Sequence, residues 1–160
     1  MYLRSALAAV SLIALAACGQ QQASSPPAES TAAVPAAAPE PVGFDVSGLE
    51  APYNTADAAA GAKVFFKCKS CHAAGPGSPN MVGPSLHGLF GRTVGKHEGF
   101  VFSDAMANAG FQWTPARLDH YLANPRTDMP GNRMAFVGLK DPADRQNLIA
   151  YLLIETKREK

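Results

Sequence analysis

The chain has 160 residues, room for one ordinary domain and its flanking segments, and a formal net charge of +1. Near-balanced charge without a long basic stripe excludes nucleic acid as the main partner. The balance is uneven along the chain, however. From Pro52 onward 13 Lys and Arg stand against 9 Asp and Glu, a mildly basic surplus that suits docking onto acidic protein surfaces.

The N-terminus reads as an address. Arg4 supplies a positive charge, and residues 6–17 form a small-apolar run interrupted only by Ser11. That run is too short for a bilayer span of about 20 residues and has the length of a secretory signal core. It ends in Leu15-Ala16-Ala17-Cys18, which resembles a bacterial lipobox, so residues 1–18 are expected to be a signal peptide and Cys18 a lipidated first residue. An ordinary signal peptide with Cys18 incidental is the alternative. Residues 19–50 are expected to be a flexible tether. Gln, Ala, Ser and Pro dominate them up to about Val42, without the apolar periodicity a core requires. As a coil, about 30 residues reach roughly 30 Å, and as polyproline II about 90 Å.

Residues 51–160 are expected to be an all-α domain. Thr55 is positioned to cap a first helix over residues 56–67, with Gly61, Val64 and Phe65 on one face. A helical glycine costs about 1 kcal/mol relative to Ala, which suggests a close approach at Gly61. Phe65 and Phe66 are both read as core.

Cys68-Lys69-Ser70-Cys71-His72 follows directly. Two thiols at this spacing can each form a thioether with a haem vinyl group, and the next histidine then sits under the iron. A zinc site would need a second ligand pair, and a thioredoxin-like pair would need a βαβ setting; neither is present. One covalent haem c is therefore the expected cofactor.

Residues 73–99 are rich in Gly and Pro and too long for an idle loop, as if they wrap a large non-protein group. Ser103 is positioned to cap a short helix ending near Gly110. Thr114-Pro115 and Asp141-Pro142 each pair a cap residue with proline at the first helical position. They open a helix to about Ala123 and the last helix, whose Leu148, Tyr151 and Leu152 form an apolar stripe. Pro125 and Pro130 break the chain between them. No segment reads convincingly as a strand.

A second iron ligand has seven candidates by type: Met81, Met106, Met129, Met134, His87, His97 and His120. A methionine is more often core filler than ligand. Met134 is favoured because it follows the turn-rich Pro130-Gly131-Asn132-Arg133, and Met129 is the rival on spacing. His97 and His120 have no special context and read as surface or ordinary core.

Taken in order, the attachment motif, the run from Gly83 to Arg92 (GPSLHGLFGR), Trp113, Tyr121-Leu122-Ala123-Asn124-Pro125 and the run from Pro130 to Gly138 (PGNRMAFVG) resemble class I cytochrome c. The likeness is to the mitochondrial-type branch and its membrane-anchored bacterial relatives. It covers the chain from about Thr55 to the last helix. It implies a cytochrome c fold of about four to five helices around one haem, with His72 and Met134 as axial ligands. It further implies Pro84 accepting from His72, Arg92 and Trp113 at a haem propionate, Tyr121 near the methionine sulfur, Asn132 in the haem surroundings and His87 as a structural residue. Gly61 and Phe65 would cross Leu148 and Tyr151. Phe102 stands where the family often has Tyr, Met106 where it often has Asn, and Asn132 where it often has Thr.

The implied function is single-electron transport, with no enzyme activity, no small-molecule substrate and a monomeric chain. A bc1-type complex would be the donor and a terminal oxidase the acceptor, with Lys67, Lys69, Arg126, Arg133 and Lys140 as a basic docking ring. The carrier would be exported to the periplasmic side of a bacterial membrane. A peroxidase or ligand sensor with a labile Met134, or a permanent electron-entry subunit of a larger enzyme, are the alternatives.

Overall fold

Two prolines and an aspartate largely decide where the helices begin. The computed structural model describes residues 44–157. Among them are a 3-10 turn at Tyr53–Thr55 and five α-helices: α1 Ala58–Phe65, α2 Asp104–Ala107, α3 Pro115–Ala123, α4 Pro125–Asp128 and α5 Pro142–Glu155. Pro115 and Pro142 occupy the first turns of α3 and α5, where a missing N–H costs nothing. Thr114 accepts from the Arg117 N–H at 3.1 Å and Asp141 from the Ala143 N–H at 2.8 Å. A single isolated bridge, Thr93 to Gln112, is the only β pairing among the described residues.

α1 begins differently from the sequence expectation. Asp57, not Thr55, is the cap, accepting from the Ala60 N–H at 2.8 Å. Thr55 closes the 3-10 turn, donating its hydroxyl to Pro52 O at 3.1 Å. Two capping residues lie two positions apart, and Asp57 is the one followed by helical geometry. α1 runs on past Phe65 as successive turns to Cys71. Phe65 is buried, but Phe66, one position on, faces outward and is 62% exposed, so only one of the adjacent rings is core. Ser103 precedes α2 without making a side-chain cap bond, and α2 ends at Ala107 rather than near Gly110. Pro125 starts α4 instead of merely ending α3.

α1 and α5 cross at Gly61. A Cβ built there would lie 2.0 Å from Asn147 O and 2.9 Å from Tyr151 Cβ, so the crossing exists because the residue has no side chain. The Asp57 N–H donates to Asn147 Oδ1 at 2.9 Å, and the Phe65 and Tyr151 rings pack at 5.4 Å. α5 is buried on more than one side. Leu148 and Leu152 look into the main core, while Ala150 packs with Ala56 and Ala58 in a second cluster. Phe44, Val46 and Leu49 pack on that second cluster. These residues of the expected tether therefore lie on the domain. α3 is tied to α5 by Arg145, whose Nε donates to Asp119 Oδ1 at 2.9 Å.

The signal segment, Cys18 and the tether as far as residue 43 lie outside the described residues. No helix among the described residues is long and apolar enough to cross a membrane.

Candidate haem site

The turns after α1 place both thiols on one side. The Cys71 and His72 N–H groups both donate to Cys68 O, at 3.0 and 2.9 Å. The two cysteines are not joined as a disulfide. Together with His72 they line a cavity of about 670 Å³, within the roughly 300–1,000 Å³ typical of sites for organic ligands. Its other walls are the glycine-rich loop (Gly83, Pro84, Arg92), Trp113, α3 (Leu118, Tyr121), the loop carrying Arg133 and Met134, and Leu148 and Leu152 of α5. Burial pushes the Cys68 thiol up to about 11, with Cys71 adding to the rise and Lys67 opposing it.

His72 is held in one tautomer. Its Nδ1 lies 2.8 Å from Pro84 O. A carbonyl can only accept, so Nδ1 carries the proton and Nε2 keeps a free lone pair. Burial lowers the His72 pKa, and the bond to Pro84 works against that shift. Gly83 lies behind the ring, where a Cβ would sit 2.3 Å from Cε1. The loop is fastened to the motif by Gly83 N–H donating to Cys71 O at 2.9 Å and Leu86 N–H to Ala73 O at 2.8 Å.

On the Met134 side, the Tyr121 hydroxyl donates toward Met134 Sδ at 3.8 Å. Tyr121 is buried, and burial raises its pKa, with Asp128 adding to the rise and Arg117 opposing it. Asn132 does not line the cavity; it shapes the loop. Its Oδ1 accepts from the Met134 N–H at 2.9 Å, and its Nδ2 donates to Pro125 O and Met129 O at 2.7 and 2.8 Å. Of the seven candidate second ligands, only Met106 and Met134 line the cavity. Met129 is buried in the core, Met81 is exposed, and His120 pairs with Asp128.

Arg92 reaches the cavity from the loop with its guanidinium fixed. NH1 donates to His87 O at 3.2 Å and NH2 to Ser85 O at 3.1 Å, while NH1 lies 2.7 Å from His97 Nδ1. The last contact was not read from the sequence. Ser103 also lines the cavity, and its buried Oγ has no hydrogen-bond partner among the described residues. An orphaned hydroxyl and a fixed guanidinium beside an apolar chamber with two thiols match a flat apolar group bearing carboxylates. The residues therefore fit a covalent haem.

The basic residues expected to form a ring behave individually. Lys67 pairs loosely with Asp144 at 3.8 Å, and the Lys69 ammonium sits 3.8 Å over the exposed Phe66 ring. Arg133 NH2 donates to Val101 O at 2.5 Å, latching two cavity-lining loops. Lys140 Nζ donates to Ala123 O at 2.9 Å, and Arg126 is exposed on α4.

The sequence model of the cytochrome c family matches residues 58–154. The chain belongs to the cytochrome c family. It carries one covalently bound haem c and is a single-electron carrier. The chain is 45% identical over 109 residues to cytochrome c2 of Blastochloris viridis, covering 68% of this chain and 86% of that one. It is likewise 45% identical over 106 residues to cytochrome c of Stellaria longipes, covering 66% and 98% respectively. The structure of cytochrome cH from Methylobacterium extorquens aligns with a TM-score of 0.57 at 43% identity, over 61% of this chain and 97% of that one.

Proposed function

We propose that His72 and Met134 are the two axial ligands of a haem bound through Cys68 and Cys71. The observation that carries this reading is the orientation of two side chains on one cavity: His72 with its Nε2 lone pair free, and Met134 with its sulfur held by Tyr121. When bound, the haem supplies a one-electron ferric–ferrous couple, and a neutral thioether ligand favours the ferrous state. The protein's part is to keep both ligands in place so that little reorganises when the charge changes. Pro84 fixes the imidazole, Asn132 fixes the loop of Met134, and the Arg133 latch ties that loop to the segment around Val101. Arg92 and Ser103 would take the haem carboxylates, beside the buried Trp113. With His72 and Met134 both holding the iron, the chain would leave no open position on it for a substrate.

The carrier works between a bc1-type donor and an oxidase-type acceptor, on the periplasmic side of a bacterial membrane. Support comes from the signal-like residues 1–18, the lipobox-like Cys18 and the Pro- and Ala-rich residues after it. A lipid anchor with a tether of this length would keep the domain near both partners. Lys69 and Arg126, with Lys67 beside the cavity, supply positive charge for docking. To test the pathway, the reduced, haem-loaded chain is mixed with membranes containing a terminal oxidase, and loss of its ferrous spectrum is followed. Rapid oxidation is expected. Oxidation no faster than in buffer would overturn the pathway.

A further inference from the structure

His97 lies outside the cavity wall, yet it touches Arg92, which lines the cavity. Its Nδ1 is 2.7 Å from Arg92 NH1. Arginine only donates, so Nδ1 must carry the lone pair, and the imidazole in this arrangement is neutral with its proton on Nε2. Arg92 has five N–H hydrogens. His87 O and His97 Nδ1 use those of NH1, and Ser85 O uses one on NH2. What remains for a carboxylate is the Nε hydrogen and one on NH2. Neither backbone carbonyl can titrate. His97 can.

We propose that His97 is a positioning residue for Arg92: neutral, it holds the guanidinium against the haem carboxylate, and protonated, it lets go, so that the midpoint potential depends on pH. This inference rests on the haem reading above. The charged groups acting on His97 are Arg92 and Glu98; Lys96 is adjacent and exposed. Burial and the Arg92 charge lower the His97 pKa, and Glu98 opposes them. The backbone beside His97 is held by Asn80 Nδ2, which donates to Glu98 O at 3.0 Å.

The sign follows from charge. A proton taken from solvent onto Nδ1 breaks the bond from Arg92 and adds a second positive charge near the site. Positive charge favours the ferrous state, whose iron is one charge less positive. Electron uptake from the redox partner and proton uptake from solvent at His97 are therefore coupled. The potential is higher on the acid side of the His97 titration and falls to a lower plateau on the alkaline side.

The test is a mediated redox titration of the haem-loaded full chain across about pH 5 to 8, the range in which histidine titrates. Wild type is compared with His97→Gln, whose amide oxygen can still accept from Arg92 but cannot titrate. The wild type should show a downward step with rising pH, and His97→Gln should lack it. A His97→Gln curve that keeps the full step, or a flat wild-type curve, overturns the proposal. As a second readout, NMR titration of the His97 ring should give a higher pKa in the ferrous than in the ferric protein. Equal values would also overturn it. Purification of the chain with no covalently bound haem would sink the haem reading itself. Bound haem without a His97-dependent step sinks only this inference.

Discussion

The Nδ1–H of His72 donates to the carbonyl of Pro84 across 2.8 Å, and that bond decides which imidazole nitrogen is left with a lone pair. Gly83 sits against the same ring, so close that a Cβ would meet Cε1 at 2.3 Å. The ring therefore has an anchor and a wall, both supplied by adjacent residues of one loop.

Gly83→Ala should force the imidazole or the loop to move. Overpacking of this kind costs about 1–3 kcal/mol, read as a lowered denaturation midpoint, and the ferric spectrum should show a weakened or exchanged histidine ligand. A variant with wild-type stability and spectrum would contradict the wall.

Met134→Ala should abolish the methionine–iron absorption band of the ferric protein. Met106→Ala and Met129→Ala should keep it. Met129→Ala should still destabilise the fold by about 2–5 kcal/mol, because Met129 is a buried core residue. Loss of the band in the Met129 or Met106 variant alone would contradict the assignment.

Gly61→Ala tests the helix crossing. Alanine gains about 1 kcal/mol of helix propensity, but its methyl would fall 2.0 Å from Asn147 O. The crowding should win, because the obstacle is backbone. A net loss of stability in denaturant unfolding is expected, and an unchanged or raised midpoint would contradict it.

Charge reversal at Lys69 or Arg126 should slow electron transfer to an acidic partner at low ionic strength. The difference from wild type should shrink as salt shortens the screening length to about 8 Å at physiological strength. Stopped-flow rates identical to wild type at every salt concentration would remove both residues from the docking face.

Much of this was legible in the sequence because local chemistry carried it. Thr114-Pro115 and Asp141-Pro142 mark helix starts through bonds spanning two or three residues, and both appear where expected. Gly61 announced a close approach by standing where glycine is costly. Other features depend on the third dimension. Phe66 differs from Phe65 only by a rotation about the end of α1, and that rotation sends it to solvent. Phe44, Val46 and Leu49 sit in a composition that reads as tether, yet α5 offers them an apolar face. His97 meets Arg92 because the loop turns back through Gly95, at a positive φ of 71°. Five residues of separation do not reveal that return.

The central claim is that the chain's own side chains occupy both faces of the haem iron. The most direct test is to add carbon monoxide to the reduced, haem-loaded protein at neutral pH and follow the absorption spectrum. Two filled axial positions predict little or no change over the time of mixing, with Met134→Ala binding quickly. Rapid, full binding by the wild type would contradict the claim and point instead to a ligand-binding or catalytic haem.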